Sequence, residues 1–166
     1  LAVTHPKFKN YFEYIKSLMK NLIFNLGFAT ILTHELDAMT QSEWRLLFIL
    51  RSLPEKTASV AFVVLHVPFI AVLLWLTNNQ SEVIKNWSRI ALSAFLIIHY
   101  GLHKLLENSP NYTFNSTLSL GLIYSAALLG GRAVNRLLRT SKKSESIQNA
   151  FGFAAFLLKH VLSWMD

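Results

Sequence analysis

Two stretches of the chain, 57–81 and 108–131, contain no Asp, Glu, Lys or Arg. A helix that crosses the hydrocarbon layer needs about 20 mostly apolar residues, and each stretch can hold one. Charged residues make up 15% of the 166-residue chain, against about 25% in a typical soluble domain. The bunching matters more than the total, because it confines the charges to segment ends. The chain therefore reads as an all-α integral membrane helical bundle, with 1–166 forming a single transmembrane domain.

Four clear spans are expected, at about residues 21–39, 57–77, 87–106 and 117–131. Before them, residues 7–20 place Phe8, Phe12, Ile15 and Met19 on one helical face and Lys7, Lys9, Lys16 and Lys20 around the other. That is the pattern of a basic helix lying on a membrane surface, although an ordinary packing helix shares it. A second interfacial helix is expected over 41–53, ending before Pro54. Thr40-x-x-Glu43 fits a capping box at its start, which gives Glu43 a structural role. Trp44, Arg45 and Arg51 suit a membrane boundary. Pro68 cannot donate to the carbonyl of Val64, which frees an acceptor in the second span. Small residues in 117–131 permit close helix contact, and 132–143 reads as a basic connector. Residues 147–165 are apolar but interrupted by Lys159 and His160. They either form a fifth span with the lysine snorkelling or lie in the interface.

The net charge is +7, yet no aromatic-basic groove motif or other nucleic-acid signature is present. In a membrane protein such an excess sets topology and meets anionic headgroups. With a cytoplasmic N-terminus, the inner side collects Lys7, Lys9, Lys16, Lys20, Lys85, Arg89, Arg132, Arg136, Arg139, Lys142 and Lys143. The outer side keeps Arg45, Arg51, Lys56 and Lys104. That bias sets the expected orientation. The absence of cysteine excludes disulfides, thiolate metal sites and thiol catalysis. The chain opens on Leu1 rather than Met, as expected of a trimmed or incomplete N-terminus, and no signal-peptide pattern lies near it.

This topology gives the histidines a common depth. His34 and Asp37 fall at the outer end of the first span, and His99 and His103 in the outer half of the third. His66 lies about 13 Å along the second span from its outer end. Spacings of three (His34, Asp37) and four (His99, His103) direct two side chains toward one point. Thr30 extends the first stripe, and Tyr100 and Glu107 lie on the side of the second. Imidazoles with a carboxylate form the ligand set of Zn, Mn or non-haem Fe, and ionisable residues inside a membrane are costly and functional by default. The expected ligands of a divalent metal, zinc first, with Fe or Mn as alternatives, are His34, Asp37, His66, His99 and His103. The bland alternatives are a wet helix end for His34, Glu35 and Asp37 and a carbonyl-bonded core histidine for His66.

Familiar catalytic signatures are absent. "HELDA" begins like the zincin His-Glu-x-x-His, but Ala38 occupies the second histidine position. No Gly-x-Ser-x-Gly elbow or Gly-rich phosphate loop occurs. The stretch "HELDAMTQSEWR", with "LHVP" and "HYGLH" downstream, resembles a family of uncharacterised bacterial multi-span membrane proteins over about residues 20–105. It is also similar to the HXXEE-type membrane domain, with Asp37 matching the first carboxylate and Ala38 departing at the second. The resemblance implies a bacterial inner-membrane protein, without implying an activity.

Three functions remain open from sequence. The leading one is a metal-dependent enzyme, hydrolase or oxidoreductase, acting on a lipid-like substrate that enters laterally. Glu35 or Asp37 would then accept a proton from water activated by the ion. A second is b-type haem electron transfer through two of His66, His99 and His103. His99 and His103 on one helix cannot sit trans across a porphyrin, so His66 would have to face one of them. The third is a non-enzymatic subunit or scaffold, forming homo- or hetero-oligomers through 117–131 or the 147–165 tail.

Overall fold

The computed structural model describes residues 6–140. Four long helices follow in order: α1 Pro6–Thr40, α2 Glu55–Thr77, α3 Glu82–Leu106 and α4 Thr117–Thr140. No strand occurs among the described residues. α2, α3 and α4 are each long and apolar enough to cross a membrane. The expected span 21–39 lies inside α1, whose 35 residues make a helix about 52 Å long. It continues without a break from the 7–20 segment. The candidate fifth span, 147–165, lies outside the described residues.

α1, α3 and α4 pack against one another as the bundle, and α2 leans on α3 from outside. Each bundle helix contributes one stripe. On α1 it runs through Phe24, Phe28, Ile31, His34 and Ala38, and on α3 through Ser93, Leu96, His99 and His103. On α4 it runs through Ser119, Ile123, Ala126, Ala133 and Leu137. These are the three- and four-residue steps of a helix with one buried face. Tight α3–α4 contact depends on Gly130. A Cβ there would lie 2.5 Å from the Ser93 carbonyl oxygen and 2.9 Å from Leu96 Cβ. Between lipid-immersed helices the driving force is close packing rather than exclusion of water, so small residues set the approach.

Apolar packing closes the bundle in levels. Ile90, Ala133 and Leu137 meet at one end. Phe24, Phe28, Ile31, Leu92 and Leu96 fill the middle. Trp44, Leu50, Phe62, Phe114 and Ile123 fill the other end. α2 contributes little to this: Ala58, Phe62 and Thr77 are its buried residues, and Val60, Val64, Val67, Phe69 and Trp75 are exposed. It stays helical through Pro68.

Two segments differ from the sequence expectation. No α-helix forms over 41–53; the chain makes two 3-10 turns, Glu43–Arg45 and Leu50–Ser52. Thr40 does not cap them, because it is still the last residue of α1 and its hydroxyl donates to the Asp37 carbonyl at 2.7 Å. Ser42 takes the left-handed conformation (φ 57°) that turns the chain instead. The second difference is at 132–140, expected as connector. α4 runs on to Thr140 because Ala133 and Leu137 prolong its buried stripe against Ile90.

Candidate metal centre

The centre lies one turn beyond the middle apolar level. His34 follows Ile31 on α1, and His99 and His103 follow Leu96 on α3, so the same helical spacing that builds the core aims these rings inward. The His34 ring centroid is 4.8 Å from that of His99 and 5.0 Å from that of His103. Phe114, carried on the 107–116 loop, is fully buried. Its ring lies 4.7 Å from His103 and 5.5 Å from His34, closing the end of the bundle over the cluster.

The turn after α1 supplies the fourth group. His34, Glu43, His99 and His103 each offer a ligand atom, and these atoms all lie within 4.8 Å of one another. The Nε2 atoms of His99 and His103 face each other at 3.1 Å, and His34 Nε2 is 3.9 Å from Glu43 Oε2. Zinc bonds of about 2.0–2.1 Å place tetrahedral donors about 3.3 Å apart. The four groups are thus close to the spacing a small ion needs.

Hydrogen bonding points the same way. Among the described residues, the buried side-chain atoms without a partner are Nδ1 and Nε2 of His34, Oδ2 of Asp37 and Oε2 of Glu43. Buried polar atoms are nearly always paired, and each orphan costs about 1–3 kcal/mol. Four such atoms fall on three neighbouring residues, two of which offer ligand atoms to the cluster. Burial, with the charges of Glu35 and Asp37 added, pushes the Glu43 carboxyl up to about 8. Its environment resists a lone negative charge, and a divalent ion would relieve it.

Supporting contacts fix the rings. His103 Nδ1 lies 3.2 Å from the Tyr112 hydroxyl, the kind of outer contact that sets tautomer and orientation in a metal ligand. His66 is placed differently from its expected role. Its Nδ1 contacts the Phe62 carbonyl at 2.6 Å and its Nε2 lies 3.0 Å from Glu35 Oε2, so both nitrogens are engaged. Of the expected ligands, the structure brings together His34, His99 and His103. Glu43 completes the group, while Asp37 lies beside it and His66 is joined to Glu35. Thr30 bonds its own helix, donating to the Leu26 carbonyl at 2.8 Å.

Glu43 is the residue that sequence reasoning missed. The Thr40-x-x-Glu43 spacing reads as a capping box, which gives a candidate ligand a structural explanation.

Three helices long and apolar enough to cross a membrane thus accompany a buried histidine–carboxylate group that could hold a metal ion. The chain belongs to the family described as "Family of unknown function (DUF6713)", whose model matches residues 20–140. No curated protein and no solved structure matches it.

Proposed function

We propose that this is a membrane-embedded metalloenzyme that holds one divalent ion, zinc first, with His34, His99, His103 and Glu43. The carrying observation is the convergence of these four donors with orphaned atoms on two of them. Three imidazoles and one carboxylate match zinc and equally suit iron or manganese. Such an ion supplies Lewis acidity and lowers the pKa of water toward 7.

The chain's own groups then have distinct tasks. The orphaned Oδ2 of Asp37, one helical turn from His34, is the proton acceptor. Glu35 reaches the same region from the next position along α1 and passes its proton to or from His66 across their 3.0 Å contact. Phe114 and the buried rings exclude bulk water. α1 acts as a fourth span over 21–39, and the N-terminus is cytoplasmic, which puts the centre in the outer half of a bacterial inner membrane. The substrate is lipid-like and reaches the centre from the bilayer.

Haem ligation gains no support from this geometry. His66, the ring that would have to sit trans to His99 or His103, has both nitrogens engaged elsewhere.

Elemental analysis of protein purified without chelators tests the reading. One ion per chain is expected for the wild type and at least a tenfold loss for His99→Ala, with His66→Ala keeping its metal. A wild-type ratio near zero, even after zinc is supplied, would reduce the cluster to hydrogen-bonded packing.

A further inference from the structure

Beside the histidine cluster a cleft of about 270 Å³ opens between the end of α3, the start of α4 and the 107–116 loop. His103 lines it together with Tyr112, whose hydroxyl contacts His103 Nδ1. The Nε2 of the same ring faces His99. One imidazole therefore belongs both to the cleft lining and to the candidate ligand group.

The cleft runs inward from the ends of two helices long and apolar enough to cross a membrane. Its lining reaches back from the last residue of α3, Leu106, to Tyr100, and from the first residue of α4, Thr117, to Tyr124. Six or seven residues of helix span about 9–10 Å. The slot thus starts among the polar residues of the helix ends and runs about two turns inward along apolar helices.

Its two ends differ in chemistry. At the mouth Lys104 and Glu107 are ion-paired with each other, so they present hydrogen-bonding groups with no net charge, next to the Asn115 amide. Deeper in, Tyr100 and Tyr124 pack with centroids 5.3 Å apart, and Ile123 and Leu120 form the apolar wall. Leu120 and Tyr124 are 36% and 48% exposed, so the wall continues onto the outer, lipid-facing surface of α4.

The volume falls just below the usual range of drug-sized ligand sites. It accommodates a head group, not a whole lipid. A chain attached to that head would leave over Leu120 and Tyr124 into the bilayer.

We propose that this cleft binds the head of a single-chain amphiphile whose polar group is uncharged and rich in hydroxyl or carbonyl oxygen, held against the back of His103. This names the substrate class for the centre proposed above, and rests on that reading only for the ligand's position relative to the ion. A fixed carboxylate or phosphate would meet the Glu107 side of a pair whose Lys104 is already taken. A neutral head donates to and accepts from Asn115, the tyrosine hydroxyls and the pair without disturbing it.

The test uses the whole chain in vesicles of phosphatidylethanolamine and phosphatidylglycerol. The probe is 1-monolauroylglycerol with a photoreactive diazirine near the head, and labelled residues are mapped by peptide mass spectrometry. The same chain carrying phosphocholine or a free carboxylate gives the comparison arms. Labelling should concentrate on 100–124. It should exceed that of either charged probe at least tenfold and fall at least tenfold in Leu120→Trp, which fills the slot. Asn115→Leu, at an exposed loop position, should lower it at least threefold and guards against a folding defect in the first variant. Equal labelling by all three probes, or labelling unchanged in both variants, would overturn the proposal. Metal content of the same samples separates the two readings. Cleft labelling without bound metal removes the ion and keeps the site, whereas stoichiometric metal without cleft labelling removes the site alone.

Discussion

The two ends of the bundle both bury polar groups, and they treat them in opposite ways. At the end where α2 finishes, the half-buried Arg89 finds its partners within the chain. Its Nε donates to the Thr77 carbonyl at 2.8 Å, an Nη donates to Asn21 Oδ1 at 2.9 Å, and its guanidinium lies 4.9 Å from the Phe24 ring centroid. At the other end His34 is fully buried with neither ring nitrogen bonded, and Asp37 and Glu43 each keep an unpartnered oxygen. A polar residue that ties helices together is satisfied within the chain. The groups proposed to hold the ion keep atoms that nothing in the chain answers. Substitutions at the two ends should therefore differ in kind, and the following experiments set them against each other.

Metal content should show the largest difference. His103→Ala removes a donor and the ring that Tyr112 and Phe114 hold, and should lower bound zinc at least tenfold by elemental analysis. Arg89→Met should leave the metal ratio at the wild-type value. Equal loss in both variants would mean that the cluster reports general unfolding.

The pH response should come next, and the share that Glu43 contributes has a definite sign. Its carboxyl is raised from 4.5 to about 8 in the folded chain. Below pH 4.5 both folded and unfolded states hold the proton, so this group costs nothing. As pH rises the unfolded state releases its proton first, and the folded state then binds more protons, so stability falls with pH. Measured against Glu43→Gln, the thermal midpoint of the metal-free wild type should therefore drop between about pH 4.5 and 8 and level off above. Zinc should remove that relative drop, since metal binding displaces the proton.

How much of this was legible in the sequence depends on what kind of pattern carried it. The uncharged runs located α2 and the core of α4, because lipid allows few alternatives to a helix there. The i, i+4 pair His99 and His103 was readable, because helical geometry alone aims both rings one way. Two things were not readable. The face His66 presents depends on α2 lying outside the α1–α3–α4 bundle, a tertiary fact that no period encodes. Glu43 sits in an irregular turn set by Ser42 at φ 57°, where spacing has no fixed direction. The capping-box pattern there was satisfied by sequence and refused by the backbone, because α1 had not yet ended.

Stability at the satisfied end should follow. Arg89→Met leaves the Thr77 carbonyl and Asn21 without their donor, and hydrogen bonds to a charged group are worth about 1.5–3 kcal/mol each. A loss of about 2–3 kcal/mol is expected in reversible unfolding from detergent micelles. Gly130→Ala should cost somewhat less, about 1–3 kcal/mol, as overpacking does. Its methyl would meet the Ser93 carbonyl oxygen at 2.5 Å, and α3 and α4 must move apart to admit it. An unchanged midpoint for Gly130→Ala would mean that the helices are free to slide, and the depth match between His34 and His99 would lose its anchor.

The smallest effect has the most informative sign. His34 is wholly enclosed, touching Phe114 and the rings of His99 and His103, and both its nitrogens are orphaned. In the metal-free protein that ring is a polar group held where nothing answers it. His34→Leu exchanges it for an apolar side chain of similar reach, and removing an unsatisfied buried group regains about 1–3 kcal/mol. Imperfect filling of the flat ring's space returns part of this, since volume-conserving swaps cost up to about 1.5 kcal/mol. A net gain of about 1 kcal/mol is expected for the metal-free chain, together with loss of the metal. The opposite sign at Arg89, whose partners are all present, completes the contrast. If His34→Leu destabilises the metal-free protein as strongly as Arg89→Met, His34 already has a structural partner and the two ends of the bundle are the same kind of place.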